Sequence, residues 1–197
     1  MRIIGGTLRG KKLAELGAGD LAAHLRPTSD RVRESLFNLL INGARGNLVS
    51  EARVLDLFAG TGALGLEALS RGADYVQFVE NGAKSNAILR ENITACRAEA
   101  NTHLHRMDAL KLGRAALPPS TLIFLDPPYG KSMGEEALAA ALSGGWIAPE
   151  AIVVWEESTP PVLPPEFTLL DQRSYGGTLI TLAQRIKSCP SLLPLIL

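Results

Sequence analysis

With 197 residues, 46% of them hydrophobic, and 20 basic against 20 acidic side chains, the chain has enough apolar material for one substantial core and a small appendage, since domains usually hold roughly 100–200 residues. No apolar run reaches the roughly 18 residues that a membrane helix requires, and the first residues lack the apolar stretch and small-residue cleavage pattern of a secretory leader, so no membrane association is expected and the expected compartment is cytoplasmic. Cys96 and Cys189 lie far apart with no C-x-x-C pair, which gives no support to a disulfide framework or a metal cluster and leaves free thiols as the simple reading.

The charge is unevenly placed. Residues 1–33 carry seven Lys or Arg against three acids, and the remainder thirteen against seventeen. Local clustering governs contact with a phosphate backbone more than total charge does, because salt screens exposed charges beyond roughly 10 Å. Residues 1–13 alternate basic and apolar side chains around Gly5, Gly6 and Gly10, as a small hairpin or extended arm would. A loop follows, with no strong pattern over 16–25. Pro27 extends the chain, and Thr28, Ser29 or Asp30 can cap a helix running to about Ile41. Val32, Leu36, Leu39 and Leu40 mark its buried stripe. Residues 43–51 read as a connector.

From Val54 onward short apolar runs alternate with helical patterns, the rhythm of a mainly parallel sheet covered on both faces. Strands are expected at 54–58, 75–80, 102–106, 122–126 and 152–156, with helices at 63–70, 83–98 and 134–142. The alternation then breaks. Segments 168–173 and 178–183 are joined by Tyr175-Gly176-Gly177, whose glycines can take positive φ, so an antiparallel hairpin closes the sheet. The resulting class is α/β and Rossmann-like, with five parallel strands and two antiparallel ones. A division into a basic arm and helix (1–45), a main domain (46–187) and an apolar tail (188–197) follows. Pro190 and Pro194 prevent that tail from forming one continuous helix.

Residues 56–65, Asp-Leu-Phe-Ala-Gly-Thr-Gly-Ala-Leu-Gly, put a glycine-rich turn between strand and helix, where a cofactor can approach the backbone at Ala59, Gly60 and Gly62 without meeting a side chain. Glu80, twenty residues after Gly60, can accept from ribose hydroxyls, which suits either NAD or S-adenosylmethionine. Asp56 discriminates between them. A carboxylate there repels a pyrophosphate and tolerates the cationic portion of S-adenosylmethionine. Asp108 can accept from an adenine amine in the same crevice, and the Ala109 N–H can reach adenine N1. At the carboxyl end of the fourth strand stands Asp126-Pro127-Pro128-Tyr129, on the sheet edge where open α/β folds bind ligands. An exocyclic base amine is a poor nucleophile because its lone pair is delocalised into the ring. Two acceptors for its N–H groups, the Asp126 carboxylate and the Pro127 carbonyl, favour a more pyramidal nitrogen, the prolines hold those acceptors rigid, and Tyr129 can stack on the base for about 1–3 kcal/mol.

These residues resemble the bacterial methyltransferases that modify guanine N2 in small-subunit ribosomal RNA, the RsmD family. The resemblance rests on residues 1–6 with Arg9-Gly10, on residues 26–34, on residues 54–65 and on residues 126–129. It covers most of the chain. It implies S-adenosylmethionine as cofactor, ribosomal RNA as partner within a partly or fully assembled small subunit, and an arm and helix that face the RNA, with Arg2, Arg9, Arg26 and Arg31 as contacts. Three other readings are weaker. A dehydrogenase leaves residues 126–129 without a purpose and lacks a placed histidine, since His24 lies in a loop and His103 and His105 alternate on a strand. A DNA adenine-N6 methyltransferase shares the glycine turn and the acid-Pro-Pro-aromatic run but would carry a large target-recognition domain. A non-catalytic RNA-binding assembly factor would not need Asp126.

Overall fold

The computed structural model describes residues 1–17, 30–128 and 132–187. His24, Arg26, Pro27, the Thr28 and Ser29 caps, Tyr129, Cys189 and the tail at 188–197 lie outside the described residues. The chain opens with a folded-back arm. Gly6 and Gly10 turn it at φ 75° and 85°, Ile3 N–H donates to the Lys11 carbonyl at 2.9 Å, Gly10 N–H donates to the Ile3 carbonyl at 2.8 Å, and Arg2 and Lys12 are bridged antiparallel.

Helix α1 (Asp30–Asn42) buries Arg33, Leu36, Phe37 and Leu40, the i, i+3, i+4, i+7 spacing of a one-sided helix. The sequence-based stripe is thereby corrected. Val32 and Leu39 are only half-buried, and Arg33 and Phe37 are inside. Hydropathy could not place an arginine there, because its burial depends on Glu67, an acid from another helix whose Oε2 lies 3.7 Å from Arg33 Nε.

The sheet comprises β1 (Arg53–Leu57), β2 (Tyr75–Val79), β3 (Thr102–His105), β4 (Ser120–Leu125), β5 (Ile147–Glu157), β6 (Phe167–Tyr175) and β7 (Thr178–Arg185), with α2 (Ala63–Ser70), α3 (Ala83–Ala95) and α4 (Met133–Ser143) as its crossovers. The spatial order is β3-β2-β1-β4-β5-β7-β6. The first five strands are parallel, and β7 inserts antiparallel between β5 and β6. This is the Rossmann-like arrangement expected from the alternating pattern. The β6–β7 turn uses Gly176 and Gly177 at φ 61° and 105°, the two successive positive values that a tight hairpin needs. Two boundaries differ from expectation by three residues or more. α3 stops at Ala95 because Arg97 takes φ 54°, and β5 starts at Ile147 through an irregular pairing with Ser120.

Two apolar layers sandwich the sheet. Strand alternation sends Val54, Val76, Phe78, Leu122, Phe124 and Val154 toward α1, α2, α3 and the arm. Leu55, Leu57, Ile123, Leu125, Val153 and Trp155 face α4. Phe37 of α1 meets Phe124 of β4 with ring centroids 5.8 Å apart. Full burial of a side chain such as Phe78 or Leu89 stabilises by roughly 1.5–3 kcal/mol, and these contacts fix the carboxyl ends of β1, β2 and β4 side by side. Among the described residues no helix is long and apolar enough to cross a membrane.

Candidate active site

The glycine turn leads from the carboxyl end of β1 into α2 and is hydrogen-bonded to the carboxyl end of β2. Phe58 (φ 62°), Gly60 (φ 55°) and Gly62 (φ 80°) are all left-handed. At Phe58, a side chain with a Cβ, this conformation costs roughly 1–3 kcal/mol and is characteristic of over-determined functional loops. Ala59 N–H donates to the Val79 carbonyl at 3.0 Å, and Gly62 N–H donates to the Ala59 carbonyl at 2.7 Å. The glycines serve different ends. A Cβ on Gly62 would lie 2.2 Å from Leu89 Cδ1, and one on Gly65 2.3 Å from Phe78 Cε1, whereas one on Gly60 would meet nothing nearer than the Phe58 carbonyl at 3.9 Å. Gly62 and Gly65 admit the core. Gly60 leaves its backbone open at the sheet edge, the opening that a cofactor bearing a ribose and an amino-acid chain requires.

Glu80, directly after β2, holds that turn. Its Oε2 accepts from Gly60 N–H at 2.8 Å and its Oε1 from Gly82 N–H at 2.6 Å. An ionised carboxylate offers about four lone-pair positions, so acceptors remain for a diol. Asp56 is 2% exposed, and its Oδ2 accepts from Gly65 N–H at 3.0 Å, which caps the start of α2. Burial raises its carboxyl to about 8, against the lowering effect of the Gly65 bond, with Glu80 adding to the rise. Asp108 is half-buried, and its Oδ1 accepts from Leu110 N–H at 3.0 Å, which caps the short turn containing buried Ala109.

Asp126 follows β4 directly, with Pro127 buried and Pro128 half-buried behind it. The β4–β5 register aligns Phe124 with Val154 and Leu125 with Trp155, so Asp126 is level with Glu156. Burial first, then the charges of Glu156, Asp56 and Glu157, hold the Asp126 carboxyl well above the usual carboxylate range. Asp56, Glu80 and Asp126 thus come together at one sheet edge, with Asp108 and Ala109 at the adjoining end of β3.

Of the candidate RNA contacts, the described ones lie on the arm and α1. Arg2, Arg9 and Arg31 are exposed, and Arg2 Nε sits 3.5 Å from Asp30. The arm beneath them is fixed by a buried carboxylate. Glu67 of α2, fully buried, accepts from Ile4 N–H and Gly5 N–H at 2.8 Å each and from Arg71 Nε at 2.6 Å. Arg33 donates to the Arg2 carbonyl at 2.5 Å and to Asp30 at 3.0 Å. Its burial lowers its pKa, against the opposing attraction of Glu67 and Asp30.

Four residues of this region escape sequence reasoning: Phe58, Glu67, Asn92 and Glu156. Glu156 has a visible signal, an acid inside the apolar run 151–156, but Asn92 resembles any polar residue on a long helix. Its role emerges only from three-dimensional contacts. His103 is exposed and His105 half-buried; His105 Nε2 is 3.1 Å from Gln77 Oε1 and packs edge-on against Trp146. Burial, then His103, lowers the His105 pKa to about 4, so it is a neutral packing residue. Among the described residues no cluster of His, Cys, Asp and Glu could hold a metal ion. Cys96 is a buried free thiol.

The family described as conserved hypothetical protein 95 matches residues 1–184. The chain is 35% identical over 188 residues to ribosomal RNA small subunit methyltransferase D of Escherichia coli K12, covering 94% of this chain and 90% of that one. It is 36% identical over 182 residues to the protein of the same name from Haemophilus influenzae, covering 89% of each. The solved structure of the Escherichia coli yhhF protein superposes with a TM-score of 0.79 at 35% identity, covering 95% of this chain and 98% of that one.

Proposed function

The chain belongs to the RsmD family, and on that footing we propose that it methylates the exocyclic N2 amine of a guanine in small-subunit ribosomal RNA with S-adenosylmethionine as donor. The observation that carries this reading is the position of Asp126-Pro127-Pro128 at the carboxyl end of β4, level with the open glycine turn of β1. The relatives named in the comparison act on small-subunit ribosomal RNA, the exposed Arg2, Arg9 and Arg31 suit a phosphate backbone with Arg26 as a further candidate from the sequence, and Tyr129 is the candidate to stack on the target base.

S-adenosylmethionine, when bound, supplies a methyl carbon activated by a positively charged sulfur. Gly60 gives it backbone access, Glu80 suits its ribose, Asp56 tolerates its positive end, and Asp108 with Ala109 suits its adenine. The chain's own chemistry acts on the amine. Asp126 and the Pro127 carbonyl accept its two N–H groups and aim the lone pair, and two consecutive prolines keep that geometry from relaxing. Once methylated, the nitrogen carries a positive charge, and Asp126 accepts the proton it releases. The raised pKa of Asp126 makes it a stronger base than an ordinary aspartate, which suits that task.

The test is methyl transfer from labelled S-adenosylmethionine to small ribosomal subunits prepared from cells lacking this enzyme, with naked RNA and duplex DNA alongside. Incorporation into the subunits or their RNA that disappears in Asp126→Ala is expected. RNA binding without transfer would instead indicate an assembly factor.

A further inference from the structure

Asn92 of α3 is 1% exposed and spends its whole amide on two segments distant in sequence. Its Oδ1 accepts from Ala14 N–H at 2.7 Å, and its Nδ2 donates to the Ala14 carbonyl at 3.1 Å. The second Nδ2 hydrogen goes to the Thr61 carbonyl at 2.9 Å, between Gly60 and Gly62. An amide has two donor hydrogens, and here one holds the arm and the other holds the glycine turn. Other arm anchors, Glu67 and Ser70 of α2 and Arg33 of α1, reach residues 2–8, but Asn92 also reaches the turn itself. Asn92 is itself buried while Ala14 and Thr61 are half-buried, and one amide group holds both, so a shift of residue 14 moves the amide and strains or releases its bond to Thr61.

We propose that Asn92 is a positioning residue that couples the seating of the N-terminal arm to the shape of the cofactor turn, so that RNA engaged by the arm and the methyl donor at the turn bind interdependently. The inference rests on the proposed function for what each segment binds. It adds a route by which the basic arm, whose Arg2 and Arg9 point to solvent, bears on cofactor affinity without touching the cofactor. The coupling is reciprocal by linkage.

A double-mutant cycle on S-adenosylhomocysteine affinity, measured by calorimetry on the full chain, tests it. Leu13 is an arm residue 5% exposed in the core, and Leu13→Ala loosens the arm while leaving the donor and acceptor atoms of the Asn92 hydrogen bonds in place. Leu13→Ala and Asn92→Ala should each weaken binding, by roughly fivefold or more, and Leu13→Ala should have no further effect in the Asn92→Ala background. An unchanged dissociation constant in Leu13→Ala, or effects that multiply in full, overturns the coupling while leaving the cofactor site intact. Failure of the wild-type protein to bind S-adenosylhomocysteine removes both the coupling and the functional reading. If either alanine variant does not fold, Leu13→Val and Asn92→Asp, which keeps the acceptor and deletes both donors, take their places in the cycle.

Discussion

Glu67→Gln removes one negative charge from the centre of the arm's attachment. The wild-type carboxylate satisfies Ile4 N–H, Gly5 N–H and Arg71 Nε and lies 3.7 Å from Arg33 Nε. Every one of these partners is a donor, so an amide nitrogen in place of either oxygen turns a donor toward donors. Arg33 is 1% exposed and already has buried Nε and Nη1 without hydrogen-bond acceptors; without Glu67 it becomes a buried cation with only Asp30 for compensation. Breaking a buried ion pair from one side costs about 3–5 kcal/mol, a large share of the roughly 5–15 kcal/mol by which domains are stable. Urea denaturation should show a loss in that range. Hydrogen exchange at Ile4 and Gly5 should accelerate before that of the sheet, because the arm loses its hold first. A loss below about 1 kcal/mol, with unaltered exchange at both amides, would refute the assignment of Glu67 as the arm's anchor.

Glu156→Gln removes the charge that most raises Asp126 after burial itself, so the acid limb of the kcat/KM profile for methyl transfer should move to lower pH, and an unmoved limb would disconnect Glu156 from Asp126. Asp56, raised from 3.8 to about 8, favours the fold when protonated: its contribution is complete below about pH 4 and is lost as pH rises toward 8, by up to about 1.4 kcal/mol per pH unit. Asp56→Asn, which stays neutral, should therefore gain stability relative to wild type between pH 5 and pH 8 in paired urea titrations, and a constant difference would count against the raised pKa. Gly62→Ala combines φ 80° with a Cβ 2.2 Å from Leu89 and should destabilise by about 2 kcal/mol or more. Gly60→Ala carries the strain of φ 55° but meets nothing nearer than 3.9 Å, and it should lose S-adenosylhomocysteine affinity with a smaller change in melting temperature; equal behaviour of the two variants in both assays would show that the glycines do not divide their roles.

Much of the fold was legible because it is written in local patterns. The apolar runs at β1, β2 and β4, the glycine turn after β1 and the Gly176-Gly177 hairpin are each specified within a dozen residues, and their order dictates a parallel sheet closed by an antiparallel pair. Asp56, Glu80 and Asp126 could be picked out because strand ends are predictable and open α/β sheets bind at their carboxyl edge. What the sequence hid depends on partners far along the chain. Arg33 reads as a solvated charge until Glu67, thirty-four residues on, is found beside it. Asn92 reads as helix surface until Ala14 and Thr61 converge on it. Phe58 gives no hint of its left-handed backbone, because that conformation is imposed by the neighbouring strands rather than chosen by the residue.

The measurement that bears most directly on the function is the chemical identity of the methylated nucleoside. RNA from the small subunits treated with wild-type protein and S-adenosylmethionine, digested and resolved by mass spectrometry, should contain N2-methylguanosine that is absent from the Asp126→Ala reaction. A methyl group on any other nucleoside of that RNA, or N6-methyladenine in duplex DNA with the subunits left unmodified, would contradict the assignment.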